Sequence, residues 1–357
     1  MTDLFAPLGL AHGKAMANRF MLAPLTNLQS HPDGSLSDDE INWLVKRAEG
    51  GFGLVMTAAA FVDPQGIGFP GQLGIASDDH LPGLTRLAAA LRAKGTLSAV
   101  QLHHAGIRSP KDIVGTPLGP FADAETGARA LTSAEVEQLR DSFIAAAVRA
   151  ERAGFDGAEI HGAHGYVLAQ LLDAENNTRS DGWGGDYAGR TRIIREIIDG
   201  VRTATGPQFQ LGLRLSPERF NIRLGEAKRF AEEMMTGGQL DYLDMSLWDC
   251  FKLPNEEEFA DRPLIEHFTA LERGACRLGV AGKIMDSATV RRCLDAGADF
   301  VLLGRGAILH HDFPVLAKAD PDFASAPTPV TRAHLVREGL GPNFVDYMAT
   351  WKGFVEG

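Results

Sequence analysis

The sequence predicts an α/β protein: a (β/α)8 TIM barrel with a parallel eight-stranded core, followed by a C-terminal helical extension. Two observations lead there. Short apolar runs alternate with segments of helical period eight times along the chain. The runs are continuous rather than alternating in polarity, which fits strands covered on both faces and therefore parallel. Eight such units close most economically into a barrel. A doubly wound sheet is the alternative, and the absence of GxGxxG after the first strand counts against it.

The elements follow in order. Phe20-Met21-Leu22-Ala23-Pro24-Leu25 is a buried strand ended by Thr26 and Asn27. Ser37-Asp38-Asp39-Glu40 starts a helix, with carboxylates at the positive end of its dipole, that runs to Gly50-Gly51. Gly53 to Ala60 is the second strand. Residues 81–94 form a helix with Leu84, Leu87 and Leu91 on one face, and 97–102 form the third strand, ending at Gln101-Leu102-His103-His104. An irregular stretch, Ala105 to Ala130, precedes a helix opened by Thr132-Ser133-Ala134-Glu135 and ended by Gly154. The fourth strand is Gly157-Ala158-Glu159-Ile160-His161. Helix 190–204, strand 209–215, helix 225–236 and strand 240–246 follow. A helix near 262–275, a strand around 277–281, a helix capped by Ser287 and the strand Asp299–Leu303 complete the series.

The barrel is assigned to residues 1–320. Residues 321–330 read as a Pro/Ala/Thr linker, so 321–357 form a C-terminal extension. In it Phe344, Tyr347, Met348, Trp351, Phe354 and Val355 make an apolar stripe that needs a partner. That partner is the barrel's own flank or, alternatively, a neighbouring subunit in a homo-oligomer.

Composition narrows the function classes. A net charge of -11 argues against nucleic acid or an anionic membrane as partner. Cys250, Cys276 and Cys293 form no CxxC pair, so no zinc ribbon or iron–sulfur ligand set is expected. No run reaches the roughly 20 apolar residues of a membrane span. The first residues lack a signal-peptide pattern. A cytoplasmic protein acting on a small molecule is the expectation.

The chemistry gathers at the ends of the strands. His161, His164 and Tyr166 place three proton-handling groups within six residues, among glycines that leave the backbone free to turn. A core histidine satisfied by a carbonyl is the plainer alternative for His161. Thr26, Ala59-Ala60, Gln101, Arg214, Ser246, Gly282-Lys283 and Gly304-Arg305 stand at the other ends. No two acidic residues converge there, which leaves a glycosidase without its pair. The glycine loops after strands seven and eight fall where barrels bind phosphate, and Arg305 adds a guanidinium for the same anion. Phosphate site, arginine and amide along one channel suggest a flat phosphorylated cofactor.

Several motifs carry a family resemblance. HGAHGYVLAQLLDAENNTRSDGWGGDYAGRTR at 161–192, Asn18–Thr26, Val100–Gly106 and Gly304-Arg305 together resemble the Old Yellow Enzyme family of flavin-dependent ene reductases. The resemblance implies noncovalent FMN at the carboxyl face of the barrel, with NADH or NADPH as reductant. It implies Pro24 and Leu25 at the flavin's edge, Thr26 on a ring carbonyl, Ala59 beside the ring and Gln101 on the pyrimidine side. It also implies Arg214 near the charge that develops on reduction, and Gly282, Gly304 and Arg305 on the phosphate. His161 and His164 would grip the oxygen of an electron-poor alkene (an α,β-unsaturated carbonyl or nitro compound), Tyr166 would donate the proton, and no metal is called for. One site would serve nicotinamide and alkene in turn.

The chain departs from the family at three places. Thr26 replaces the cysteine of one branch, Ile107 stands where an arginine is usual, and Trp183–Arg190 is a degenerate form of the family's loop. Other functions stay open at this point: oxidative demethylation or isomerisation on the same barrel, a non-catalytic flavin carrier, or a metal-dependent hydrolase using His161, His164 and a carboxylate.

Overall fold

The computed structural model describes residues 3–357. Eight parallel strands close into a barrel: Phe20–Leu22, Leu54–Phe61, Leu97–His103, Gly157–Gly162, Gln210–Leu215, Tyr242–Ser246, Arg277–Ala281 and Phe300–Leu303. Closure is made by the first strand pairing with the last, Phe20 opposite Val301 and Leu22 opposite Leu303. A doubly wound sheet, which keeps two open edges, is thereby ruled out.

The helices follow the sequence signals where those signals are local. Ser37 caps the helix Asp38–Glu49 by accepting from the Glu40 N–H. Thr132 and Glu135 form a reciprocal capping box at the start of Ser133–Ala153, and Gly154 ends that helix in the left-handed region at φ 92°. The expected helix near 262–275 is reduced to a short turn, Glu266–Thr269, because Pro263 and the Gly274 turn confine it. The cap of Ser287–Asp295 is Asp286, not Ser287, since the Asp286 carboxylate accepts from the Thr289 N–H at 2.6 Å. The irregular stretch 105–130 carries a minor strand pairing, Leu118–Gly119 with Arg129–Ala130.

The extension 321–357 contains helices Arg332–Arg337 and Pro342–Ala349. Trp351, Phe354 and Val355 lie beyond the second helix, so the stripe is part helix and part turn. Its apolar groups are covered by the chain's own barrel: Phe344, Met348 and Phe354 join the main core, and Phe344 meets Trp43 edge-on at 4.8 Å. The stripe thus has its partner, and a neighbouring subunit is not needed to bury it.

Outward side chains of the strands, such as Val100, Ile160, Leu213 and Val301, pack under the helices. Inward ones fill the barrel. Met21, Leu54, Met56, Leu97, Ala99, Phe300 and Leu302 form its lower plug, sealed by Leu8 and Met16 from the entry segment. Above them lies a polar layer. The Gln101 amide donates to Glu159 at 2.8 Å, and the Arg214 guanidinium lies 2.8 Å from Asp244 without an aligned N–H···O hydrogen bond. All four side chains are buried. Burial raises the Glu159 carboxyl and neighbouring Asp244 adds to the rise, against the pull of Arg214 and Gln101. Burial also raises Asp244, against Arg214. With Arg214 beside Asp244, the proton that the pair retains rests on Glu159.

Two outcomes are expected. A methyl at Gly50 would lie 1.9 Å from the His311 carbonyl oxygen, backbone against backbone where the first helix meets the segment after the last strand. Gly50→Ala should therefore lower stability by about 1–3 kcal/mol in denaturant unfolding, and an unchanged midpoint would contradict that contact. Glu159 supplies the second. A carboxyl whose folded value is raised above its ordinary 4.5 gives stability that is full below that value and lost as pH rises through the folded one. Thermal stability should fall from pH 5 toward pH 8 by more in the wild type than in Glu159→Gln, and equal slopes would refute a protonated Glu159.

Candidate active site

The fourth strand delivers its histidines by register. His161 stands opposite Arg214 on the fifth strand and points inward with Glu159, while Ala158 and Ile160 face the helices. The chain then turns sharply: His164 has φ 61° and Gly165 φ 71°, and a methyl at Gly165 would strike the Phe220 ring at 2.6 Å. The helix Val167–Leu172 begins directly after Tyr166. A left-handed non-glycine residue in this tight turn brings His164 back beside His161.

The rings form one cluster. His161 and His164 centroids are 5.0 Å apart, and His161 and Tyr166 5.5 Å. His103 joins them, 4.3 Å from Tyr166 and 5.7 Å from His161. His161 Nε2 and His164 Nδ1 approach to 3.3 Å, so the two nitrogens converge on one region. His164 Nε2 lies 2.7 Å from the Ser246 hydroxyl. His161 Nδ1 is buried with no partner among the described residues.

Both histidines are held far below the ordinary imidazole range. Burial is the main cause for each; for His161 the next is His164, and for His164 it is Arg214. Burial pushes His103 down to about 3 and His104 to about 4. Burial also raises the Tyr166 phenol, opposed by Arg108. At neutral pH the cluster thus holds neutral imidazoles and a protonated phenol. A neutral His164 that accepts from Ser246 at Nε2 carries its proton on Nδ1, aimed at the convergence point.

The catalytic and cofactor-binding candidates from the sequence line one of two adjoining cavities, whereas Ala60 is buried outside both. One, of about 570 Å³, is lined by Pro24, Leu25, Thr26, Ala59, Gln101, His161, His164, Tyr166 and Arg214, among others. The other, of about 680 Å³, is lined by Gly282, Gly304 and Arg305, and shares Pro24, Leu25, His164 and Arg214 with the first. Ala59 reaches the cavity through a bulge in the second strand between Met56 and Ala59. A methyl at Gly304 would meet only Leu25, at 3.5 Å, and its φ of −97° suits any residue. Protein packing does not demand glycine there, and the open side of its backbone leaves room for a ligand to approach closely. Gly282 is different: a methyl there would press on the backbone of residues 248–250, 2.9 Å from the Asp249 and Cys250 nitrogens. The joined cavities, the glycine loops and the polar layer beneath fit a planar phosphorylated cofactor.

Sequence reasoning missed other residues. Tyr347, Met348 and Trp351 of the extension roof the first cavity, although their spacing read only as packing. Arg108, Arg219 and Phe220 also line it. Two acids do converge, Glu159 and Asp244, one layer below the strand ends. A signal for them was available: Glu159-x-His161 and Asp244-x-Ser246 have the period of a strand, and a charge in an apolar strand points inward. No carboxylate completes a ligand set at the His161–His164 pair. The one metal-competent group among the described residues is His311, Asp312 and Glu338, away from both cavities.

Known proteins are similar to this chain in sequence and fold. The sequence model of the NADH:flavin oxidoreductase / NADH oxidase family matches residues 3–319. "Probable NADH-dependent flavin oxidoreductase YqiG" of Bacillus subtilis (strain 168) is 34% identical over 88% of this chain and 87% of its own length. An "NADH:fumarate oxidoreductase" of Klebsiella pneumoniae (strain 342) is 31% identical over 87% of this chain, which spans only 35% of that longer protein. Morphinone reductase, solved in complex with tetrahydroNAD, superposes with a TM-score of 0.79 at 27% identity, covering 97% of each chain. No helix among the described residues is long and apolar enough to cross a membrane. The chain belongs to the NADH:flavin oxidoreductase / NADH oxidase family, the Old Yellow Enzyme group, and is an FMN-dependent oxidoreductase that draws on NADH or NADPH to act on a small molecule.

Proposed function

We propose that the protein reduces the carbon–carbon double bond of an electron-poor alkene, an α,β-unsaturated carbonyl or nitro compound, with NADH or NADPH as the source of hydride. The observation that carries this reading is the neutral cluster of His161, His164 and Tyr166 facing the smaller cavity. Bound FMN supplies the hydride.

Pro24, Leu25 and Ala59 would border the flavin ring, Thr26 and Gln101 would meet its polar edge, and Gly282, Gly304 and Arg305 would hold its phosphate. Arg214 would stand where negative charge grows, with its own charge partly balanced by Asp244. His161 Nε2 and His164 Nδ1 would donate to the substrate oxygen. As hydride adds at the β-carbon, the π electrons shift toward that oxygen, and donors already aimed there stabilise the charge without reorganising. The α-carbon then takes a proton from the Tyr166 hydroxyl, which burial keeps protonated. Neutral histidines suit this task, because an imidazolium beside Arg214 would cost the site further repulsion.

The binding of tetrahydroNAD by morphinone reductase supports a nicotinamide entering the same kind of cavity. Residues 321–357 would act as the roof, since Tyr347, Met348 and Trp351 narrow the opening. A metal-dependent hydrolase gains no support from a site without a carboxylate ligand beside the histidines.

Tyr166→Phe separates the steps. Anaerobic bleaching of the flavin by NADH should persist in the variant, while recolouring by cyclohex-2-enone should slow by about 10²–10⁴-fold, the usual weight of a general acid. Equal recolouring rates in variant and wild type would remove Tyr166 from the proton-donor role.

A further inference from the structure

The cations around the two cavities can be accounted for one by one. Arg214 is paired with Asp244, Lys283 with Asp249 at 2.9 Å, and Lys252 with Glu218. Arg305 stands at the glycine loop where phosphate is expected. Two guanidinium groups remain. Arg108 lies over the Tyr166 ring, 4.5 Å from its centroid, and donates to the His164 carbonyl at 2.6 Å. Arg219 lies over the Trp248 ring at 4.2 Å, and Trp248 in turn meets His164 edge-on at 6.0 Å. Neither has a carboxylate partner among the described residues, although the chain carries a net charge of -11. Both line the cavity that holds His161, His164 and Tyr166, and no Asp or Glu lines that cavity.

The backbone that presents Arg219 is strained. Arg219, Phe220 and Asn221 take φ of 72°, 53° and 55°, three successive non-glycine residues in the left-handed region, and Trp248 has φ 64°. Such conformations are disfavoured and tend to persist where they position a functional group. Glu218, next in the chain, is turned away to Lys252 and the Asn255 N–H. The loop therefore separates an acid from a base and turns the base to the cavity.

We propose that Arg108 and Arg219 form an anion clamp, and that the preferred substrates are activated alkenes carrying a carboxylate apart from the oxygen held by the histidines. This rests on the alkene-reductase reading and names the substrate class of the same site. Two guanidiniums offer fork-shaped donors that match a carboxylate, and their cationic field draws anions to a cavity of an otherwise acidic protein. A phosphate of the nicotinamide cofactor would have the same chemistry, so the test must separate the two sources.

The probes are trans-4-oxo-2-pentenoate and its methyl ester, reduced by the FMN-loaded protein, with their saturated products 4-oxopentanoate and methyl 4-oxopentanoate titrated calorimetrically. The ester is the more electron-poor alkene, so a preference for the acid must come from the pocket. The acid should be favoured by about tenfold or more in kcat/KM, and 4-oxopentanoate should bind more tightly than its ester. Arg219→Gln should reduce both preferences to about twofold or less, whereas Arg219→Lys should keep part of them. Arg108→Gln should act in the same direction; because Arg108 also holds the His164 carbonyl, Arg219 is the cleaner variant. A wild-type preference for the ester would overturn the clamp, as would preferences unchanged in both Gln variants. A loss confined to flavin bleaching by NADH or NADPH would assign the arginines to the nucleotide phosphate instead and also overturn it. Arginine-dependent binding of 4-oxopentanoate in a protein that reduces neither alkene would keep the clamp and refute the reductase reading.

Discussion

The register of four neighbouring strands places one polar layer across the barrel, and the site stands on it. Gln101 faces Glu159, His161 faces Arg214, and Arg214 faces Asp244. Because side chains alternate along a strand, the same registers that turn Glu159 and Asp244 inward also raise His161 and Ser246 one step higher. A slip of one residue would send the acids to the helices and the histidines out of the cavity. The apolar plug below seals this layer from solvent, and that burial raises the carboxyls of Glu159 and Asp244 while Arg214 opposes the rise. Buried ion pairs add little stability by themselves. Here the pair fixes Arg214 at the cavity floor, between the two cavities that it helps to line.

The site above is tuned toward neutrality. Burial removes the charge from His161, His164 and His103 and keeps Tyr166 protonated, so the hydrogen-bond donors facing the cavity carry no net charge of their own. Positive charge comes from arginines at the margin and on the floor. This division suits an oxygen clamp, whose donors need direction more than charge, and leaves field effects to the guanidiniums. Ser246 contributes by holding His164 Nε2 at 2.7 Å, which leaves Nδ1 facing His161.

Much of the fold was legible in the sequence because its signals are local. Apolar runs, the Thr132–Glu135 capping box and the glycine stops each act within a few residues. The expected helix near 262–275 failed because its periodicity was interrupted by backbone constraints that a pattern of apolar residues does not register. The candidate residues from Pro24 to Arg305 could be gathered from the sequence because strand ends in a closed barrel share one face, and the structure brings them to two adjoining cavities. What stayed hidden depends on distant contacts. Trp351 roofs the cavity only because the extension folds back over the barrel, nearly two hundred residues after His161. Arg219 reaches the cavity only through three left-handed residues, which no composition rule foretells. Glu159 and Asp244 read as isolated charges until the strand order makes them neighbours.

If one cavity serves both the nicotinamide and the alkene, the two cannot be bound at once. Steady-state kinetics with NADH varied at several fixed concentrations of cyclohex-2-enone tests this most directly. Parallel double-reciprocal lines, with each substrate inhibiting competitively against the other at high concentration, are the expected result. Intersecting lines, the mark of a complex holding both substrates together, would contradict a single site built on His161, His164 and Tyr166.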